Sequence, residues 1–174
     1  MTQQTRTVRY GTTRFTIESG EDPGALRARY ERAVPPVPTD RVDELVRRRA
    51  PWSDMLELIS ASAPFDFLVY FRNQADQLFP LAGDGAMCTS YLMGNHTIAE
   101  RMYRYEPSIL LYAPLHTVIW AEPDGPARFS VDRPSDQFGS FGLDEITQVG
   151  RELDRKLATL LDHLGLPVPA ELTD

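Results

Sequence analysis

A chain of 174 residues that is 42% apolar can bury a core and suits one domain, or one domain with an extra arm. Its net charge of -7 argues against a nucleic-acid partner, whose backbone must be neutralised by clustered Lys and Arg. A single cysteine, Cys88, excludes an intrachain disulfide and a four-cysteine zinc site, and no apolar run approaches the roughly 18 residues of a membrane span.

The stretch from Met1 to Thr7 is polar and lacks an apolar signal core, which together with the lone thiol implies a cytoplasmic protein. The basic run Arg47-Arg48-Arg49, flanked by Asp43 and Glu44, reads as the solvated end of a helix. His96, His116 and His163 sit in no metal-ligand spacing, so neither a metal nor a cofactor is read from the chain.

Arg6 to Glu18 is rich in β-formers and reads as a strand, ended by Ser19–Pro23. Asp22 and Pro23 open a helix with Leu26 and Tyr30, which stops before the stiff connector Val34-Pro35-Pro36-Val37-Pro38. Thr39 or Asp40 opens a second helix, broken by Pro51, and Ser53 caps a third that ends near Pro64. Residues 20–50 therefore look like a helical insertion or arm ahead of a core spanning about 52–165. Phe65–Arg72 is apolar at nearly every position, as in a strand buried on both faces. Asn73–Leu81 fits a short helix with Ala75, Leu78 and Phe79 inward.

Ala86–Met93 reads as a strand with Met87, Thr89, Tyr91 and Met93 on one face. After Gly94-Asn95-His96, Thr97 and Glu100 form a capping-box pattern for a helix burying Ile98, Met102 and Tyr105. Leu115–Glu122 and Ala127–Asp132 flank Pro123-Asp124-Gly125-Pro126 as an antiparallel hairpin. Asp144 caps the longest helix, with an inward stripe of Ile146, Val149, Leu153, Leu157, Leu160, Leu161 and Leu164, stopped by Gly165 and Pro167. The order of elements implies an α+β fold: a mostly antiparallel sheet with helices on one face.

Three segments resemble the domain-of-unknown-function family 302. Phe65–Leu81 is similar to the family's strand and helix after its first helix, and Leu92-Met93-Gly94-Asn95-His96 to its strand, Gly-Asn turn and helix. Leu111–Pro134 is similar to its hairpin, with Ala113-Pro114, Trp120, Glu122, Asp124-Gly125, Val131 and Pro134 in place. The resemblance implies a TBP-like α+β fold with a curved antiparallel sheet and a homodimer. It supplies no reaction. The family's acid and histidine near Phe71-Arg72-Asn73-Gln74-Ala75 are replaced here, and its Gly-Asn-Pro is Gly94-Asn95-His96.

His96 at a helix mouth reads in three ways: a histidine helping to cap its own helix, an acid–base or substrate contact, or a haem ligand with Met93 or Met102 near. Asn95 reads as a helix-terminus partner or a ligand contact. Tyr70, Tyr91, Tyr103, Tyr105, Tyr112 and Trp120 concentrate between residues 70 and 120, as in a pocket for a planar ligand, a core or a dimer face. His116 can face the same space as Tyr91, and Arg72, if inward, needs a carboxylate partner. Cys88, mid-strand among small residues, reads as inert packing. No P-loop, G-x-G-x-x-G, G-x-S-x-G or H-E-x-x-H motif occurs.

The expectation is therefore a domain binding an apolar or aromatic small molecule, with His96 as catalytic residue for proton transfer and Asn95, Tyr91, His116, Arg72 and Trp120 as ligand contacts. The competing expectation is a non-catalytic homodimeric scaffold, and a third is haem binding through His96.

Overall fold

The computed structural model describes residues 4–174, so the polar start read from Met1 falls partly outside the described residues. Strands β1 (Arg14–Glu18), β2 (Leu68–Gln74), β3 (Met87–Gly94), β4 (Leu115–Ala121) and β5 (Arg128–Asp132) form a sheet in the order β1-β5-β4-β3-β2, antiparallel at every pairing. Period-two alternation sends Phe15, Ile17, Thr89, Tyr91, Met93, Thr117, Ile119, Phe129 and Val131 to one buried face.

Helices α1 (Pro23–Ala33) and α6 (Asp144–His163) cover that face. Asp22 starts α1 as the sequence predicts, its carboxylate accepting the Ala25 N–H at 3.0 Å. Every residue of the predicted α6 stripe is buried. The fold is thus α+β, with an antiparallel sheet, helices on one face and a helical N-terminal region.

Helix α5 (Pro134–Gly139), absent from the sequence reading, crosses α6 at Gly150, where a Cβ would stand 3.0 Å from Ser135 Cα and 3.1 Å from Phe138 Cβ. Glycine at that crossing lets the two backbones meet. Helices α2 (Thr39–Arg47), α3 (Trp52–Ser62) and α4 (His96–Tyr103) complete the set.

Several expectations are corrected. Helix α1 is no arm: Leu26 and Tyr30 are wholly buried in the main core, whereas α2 buries nothing. The proline connector is tied in as well, through a parallel bridge from Pro36 to Val69. Strand β1 begins only at Arg14, and β2 lies at the sheet edge with Phe71 58% exposed, so its apolar run marks a packed edge and not a strand buried on both sides. The segment after β2 makes two 3-10 turns, leaving Leu78 and Phe79 outward because neither turn is long enough to present an apolar stripe. Tyr105 falls beyond α4 and is exposed. Asp144 and Ser53 are inside their helices, whose caps are Leu143 and Pro51.

Candidate functional site

The six residues singled out from the sequence occupy three separate places. Asn95 and His96 begin α4. Tyr91 and Arg72 meet at the sheet edge nearest α1, where both donate to Glu31 Oε1 at 2.9 Å; Arg72 has found its carboxylate within the chain. The Tyr91 hydroxyl is pushed well above the usual phenol value by burial and by that carboxylate. His116 and Trp120 point the opposite way, onto the sheet face that carries no helix.

Asn95 is the N-cap of α4: its Oδ1 accepts the N–H groups of Thr97 at 2.9 Å and Ile98 at 3.3 Å, and its Nδ2 donates to Asp66 O at 2.8 Å. The predicted Thr97–Glu100 capping box does not form, because Asn95 already serves those donors and Glu100 pairs with Arg104 at 2.6 Å. His96 is therefore the first residue within the helix. Its Nδ1 lies 2.8 Å from the Tyr70 hydroxyl, with the two rings edge to face.

The apolar cavity beside Gly94 and Asn95 measures only about 20 Å³, and His96 is not among its lining residues. Such a volume holds about one water and admits no porphyrin. Met93 and Met102, the axial partners a haem would need, are sealed in the core. Among the described residues, no cluster of His, Cys, Asp and Glu is gathered to hold a metal ion.

Burial holds the His96 imidazole below its ordinary value. With the folded value depressed, the folded state binds fewer protons than the unfolded one as pH falls. The stabilisation is complete above the unfolded value, about 6.5, and declines below it. The urea midpoint is expected to drop between pH 7 and pH 5, and His96→Gln to flatten that drop; an equal drop in the variant contradicts this origin.

A larger concavity, about 440 Å³, lies between the chain before β1, the 3-10 helix Pro107–Leu111 and the loop after α5. Three of its lining residues, Tyr10, Tyr112 and Phe141, are aromatic. The Tyr112 ring centroid stands 6.0 Å from that of Tyr10 and 5.9 Å from that of Phe141, both edge to face.

Tyr10 donates its hydroxyl hydrogen to Tyr112 Oη, which pushes the Tyr10 phenol up to about 12. The Tyr10 phenol therefore stays protonated near neutrality, its hydrogen engaged by Tyr112. Leu111 forms a lip, 75% exposed, and Arg6 lines the mouth. Glu106, also in the wall, has its carboxylate occupied by the hydroxyl and N–H of Ser108, which hold it below the usual carboxylate range, with Arg6 adding to the effect.

Local structure explains the assembly. Glu106 caps the 3-10 helix that ends at Tyr112. The chain before β1 is fastened to the start of α5 by Thr13 N–H to Asp136 at 2.7 Å and by Arg133 N–H to Thr13 O at 2.8 Å. Sequence reading placed Tyr112 in the aromatic cluster. It missed Arg6, Tyr10 and Phe141, since nothing in their spacing says that residues some 30 and 100 positions from Tyr112 converge.

Cys88 sits on the bare sheet face. Burial, with the Asp76 charge adding, pushes its thiol up, which leaves it protonated and a poor nucleophile.

The fold defines a small α+β domain of the helices-on-one-face class, and the comparisons place it. Residues 81–164 match the family described as "Domain of unknown function DUF302". The match covers the second part of the segment in which the resemblance was read; Trp52–Pro80 lies ahead of it.

A solved relative, the "uncharacterized conserved protein DUF302 from Bacillus stearothermophilus", is 13% identical over 87% of this chain and 97% of its own, with a TM-score of 0.61. It supports the fold alone. No curated protein matches. No helix among the described residues is long and apolar enough to cross a membrane.

Proposed function

We propose that this protein is a small-molecule binding domain whose ligand is a planar aromatic compound held in the cleft of Tyr10, Tyr112 and Phe141. The observation that carries the reading is the joining of three rings and an exposed Leu111 around about 440 Å³. That volume falls in the range of small-ligand sites, and the lining joins Val8, Tyr10, Leu111, Tyr112 and Phe141 to the polar Arg6, Glu106, Ser108 and Ser140. The Tyr112 hydroxyl, which accepts from Tyr10, keeps its own hydrogen to donate to a ligand oxygen. Arg6 supplies a cation for an anionic substituent, since Ser108 already engages Glu106.

His96 is a weaker candidate for the centre of the site, because its ring is held by Tyr70 and the adjacent cavity is about one-twentieth the size. No proton-transfer step is proposed for it.

Two fluorescent probes test the reading: the anionic 1-anilinonaphthalene-8-sulfonate and the neutral N-phenyl-1-naphthylamine. Both are expected to bind saturably at one site per chain. Tyr112→Ala and Tyr10→Ala are each expected to weaken both probes at least tenfold, an aromatic contact being worth about 1 kcal/mol or more beyond its buried area. Arg6→Gln is expected to weaken only the sulfonate. Binding untouched by both tyrosine variants, in proteins that keep the wild-type circular dichroism, would falsify the assignment.

A further inference from the structure

His116, Val118 and Trp120 alternate along β4 onto the sheet face that carries no helix, and a second concavity lies beside them. A trough of about 450 Å³ follows β5, with β4 on one side and β1 on the other. Side-chain size makes it. The outward residue at the middle of β5 is Ser130, opposite Thr16 of β1, whereas the larger Trp120, His116 and Arg14 surround that pair. From Trp120 to His116 the strand rises about 13 Å, so the trough is elongated.

The lining is held in place and carries both kinds of hydrogen-bonding group. Trp120 donates its Nε1–H to Ser130 Oγ at 2.9 Å, and the Arg128 guanidinium sits 4.9 Å from its ring centre, so the indole keeps one position. Ser130 Oγ is also 3.1 Å from Thr16 Oγ1; whichever hydroxyl donates, one hydroxyl hydrogen is spare. At the far end Arg14 donates Nε–H to Asp132 Oδ1 at 2.7 Å and Nη2–H to Oδ2 at 3.1 Å. That bidentate pair leaves Arg14 Nη1 as a donor and the remaining lone pairs of Asp132 as acceptors. His116, one residue before the Thr117–Val131 pair, rims the same end.

We infer that this trough is a second binding site, for a neutral disaccharide or longer glycan laid along β5. Three properties select that class. Arg14 and Asp132 cancel each other, so the trough attracts neither an anion nor a cation. Among the described residues no element covers it, whereas an apolar aromatic compound needs most of its surface enclosed. Its donors and acceptors stand beside the apolar wall of Trp120 and Val118. A pyranose matches both, with hydroxyls that donate and accept and a C–H face that packs on an indole.

The site is separate from the aromatic cleft, with which it shares no lining residue. Water reaches one side of a ligand held here, so binding is weak, with a dissociation constant on the order of a millimolar.

The chain has two tryptophans, and Trp52→Phe, on α3 and outside the trough lining, leaves Trp120 as the only indole. Its emission is titrated with cellobiose, maltose and N,N′-diacetylchitobiose up to tens of millimolar. At least one disaccharide is expected to give a saturable change, and glucuronate none. In the same background Thr16→Leu, which fills the floor beside Ser130, is expected to weaken that disaccharide by about tenfold or more at an unchanged melting point. Asp132→Ala is expected to weaken it about fivefold and, by freeing Arg14, to bring in glucuronate binding. Saturating disaccharide is expected to leave the affinity of the naphthylamine probe unchanged. Five results would each overturn the proposal: a Trp120 signal that none of the three sugars saturates, glucuronate bound as tightly by the parent, a Thr16→Leu variant that binds as well as its parent, an Asp132→Ala variant unchanged toward both ligands, or displacement of the naphthylamine.

Discussion

Tyr30→Ala is expected to destabilise the fold by about 4 kcal/mol, the range for deleting a large aromatic side chain from a packed core. Tyr30 is wholly buried on α1 and is the hinge between that helix and the sheet. Its ring centroid lies 4.8 Å from that of Tyr91 and 5.8 Å from that of Phe129, and its hydroxyl stands 3.1 Å from Thr117 Oγ1. Truncation removes three contacts at once and leaves Thr117, also wholly buried, without its partner.

For a chain of this size the melting midpoint is expected to fall by about 8–16 °C. Tyr30→Phe separates the two contributions. It keeps the ring and removes the hydroxyl, for about 1 kcal/mol. A Tyr30→Ala protein with a midpoint within 2–3 °C of wild type, on the order of 1 kcal/mol by the same scaling, contradicts the placement of α1 in the core and restores the reading of residues 20–50 as an arm.

The second large effect is expected at Asp154, a carboxylate on α6 that is only 3% exposed. Its Oδ1 accepts the N–H of Ser135 at 2.9 Å, in the first turn of α5, and its Oδ2 lies 3.1 Å from Arg133 Nε. One side chain thus satisfies an unpaired helix-start amide and a guanidinium that has little access to water. Asp154→Ala strands both, and breaking a largely buried pair from one side costs about 3 kcal/mol.

The consequence reaches the aromatic cleft. Helix α5 carries Phe138, whose ring meets Tyr112 edge to face at 6.5 Å, and leads into Phe141. Loosening α5 displaces one wall of the cleft. Asp154→Ala is therefore expected to lower the denaturation midpoint and also to weaken the naphthylamine probe under conditions where the protein remains folded. Asp154→Asn, which keeps an acceptor for Ser135, is expected to lose less of both. Equal stability of Asp154→Ala and wild type in urea contradicts this role.

Much of the fold was legible because its signals are local and periodic. The α6 stripe, the alternation of Thr89, Tyr91 and Met93, the Asp22 cap and the hairpin around Asp124-Gly125 each follow from spacing of a few residues, and all formed. Misreadings arose where a local pattern has two solutions. The apolar run of β2 fits a central strand or an edge strand packed under a helix, and α3 with the proline connector supplies the latter. Thr97 and Glu100 fit a capping box, but Asn95, two residues earlier, is a better acceptor for the same amides.

The site was less legible than the fold because it depends on long-range convergence. Tyr91, His116 and Trp120 were grouped by nearness in sequence, yet alternation along a strand sends Tyr91 to the core face and the other two to the bare face. Arg6, Tyr10, Tyr112 and Phe141 come from three stretches joined only by tertiary packing. Their convergence depends on α5, an element of six residues whose sequence Pro134–Gly139 carries no stripe to announce it.

Amide chemical-shift mapping of the wild-type protein with 1-anilinonaphthalene-8-sulfonate addresses the aromatic cleft most directly. Saturating probe is expected to move the resonances of Tyr10, Ser108, Leu111, Tyr112, Ser140 and Phe141 most, in a compact patch around the concavity those residues line. Shifts centred instead on Gly94, Asn95 and His96, or on Val118 and Trp120 of the bare sheet face, contradict a ligand seat between the N-terminal segment and Tyr112.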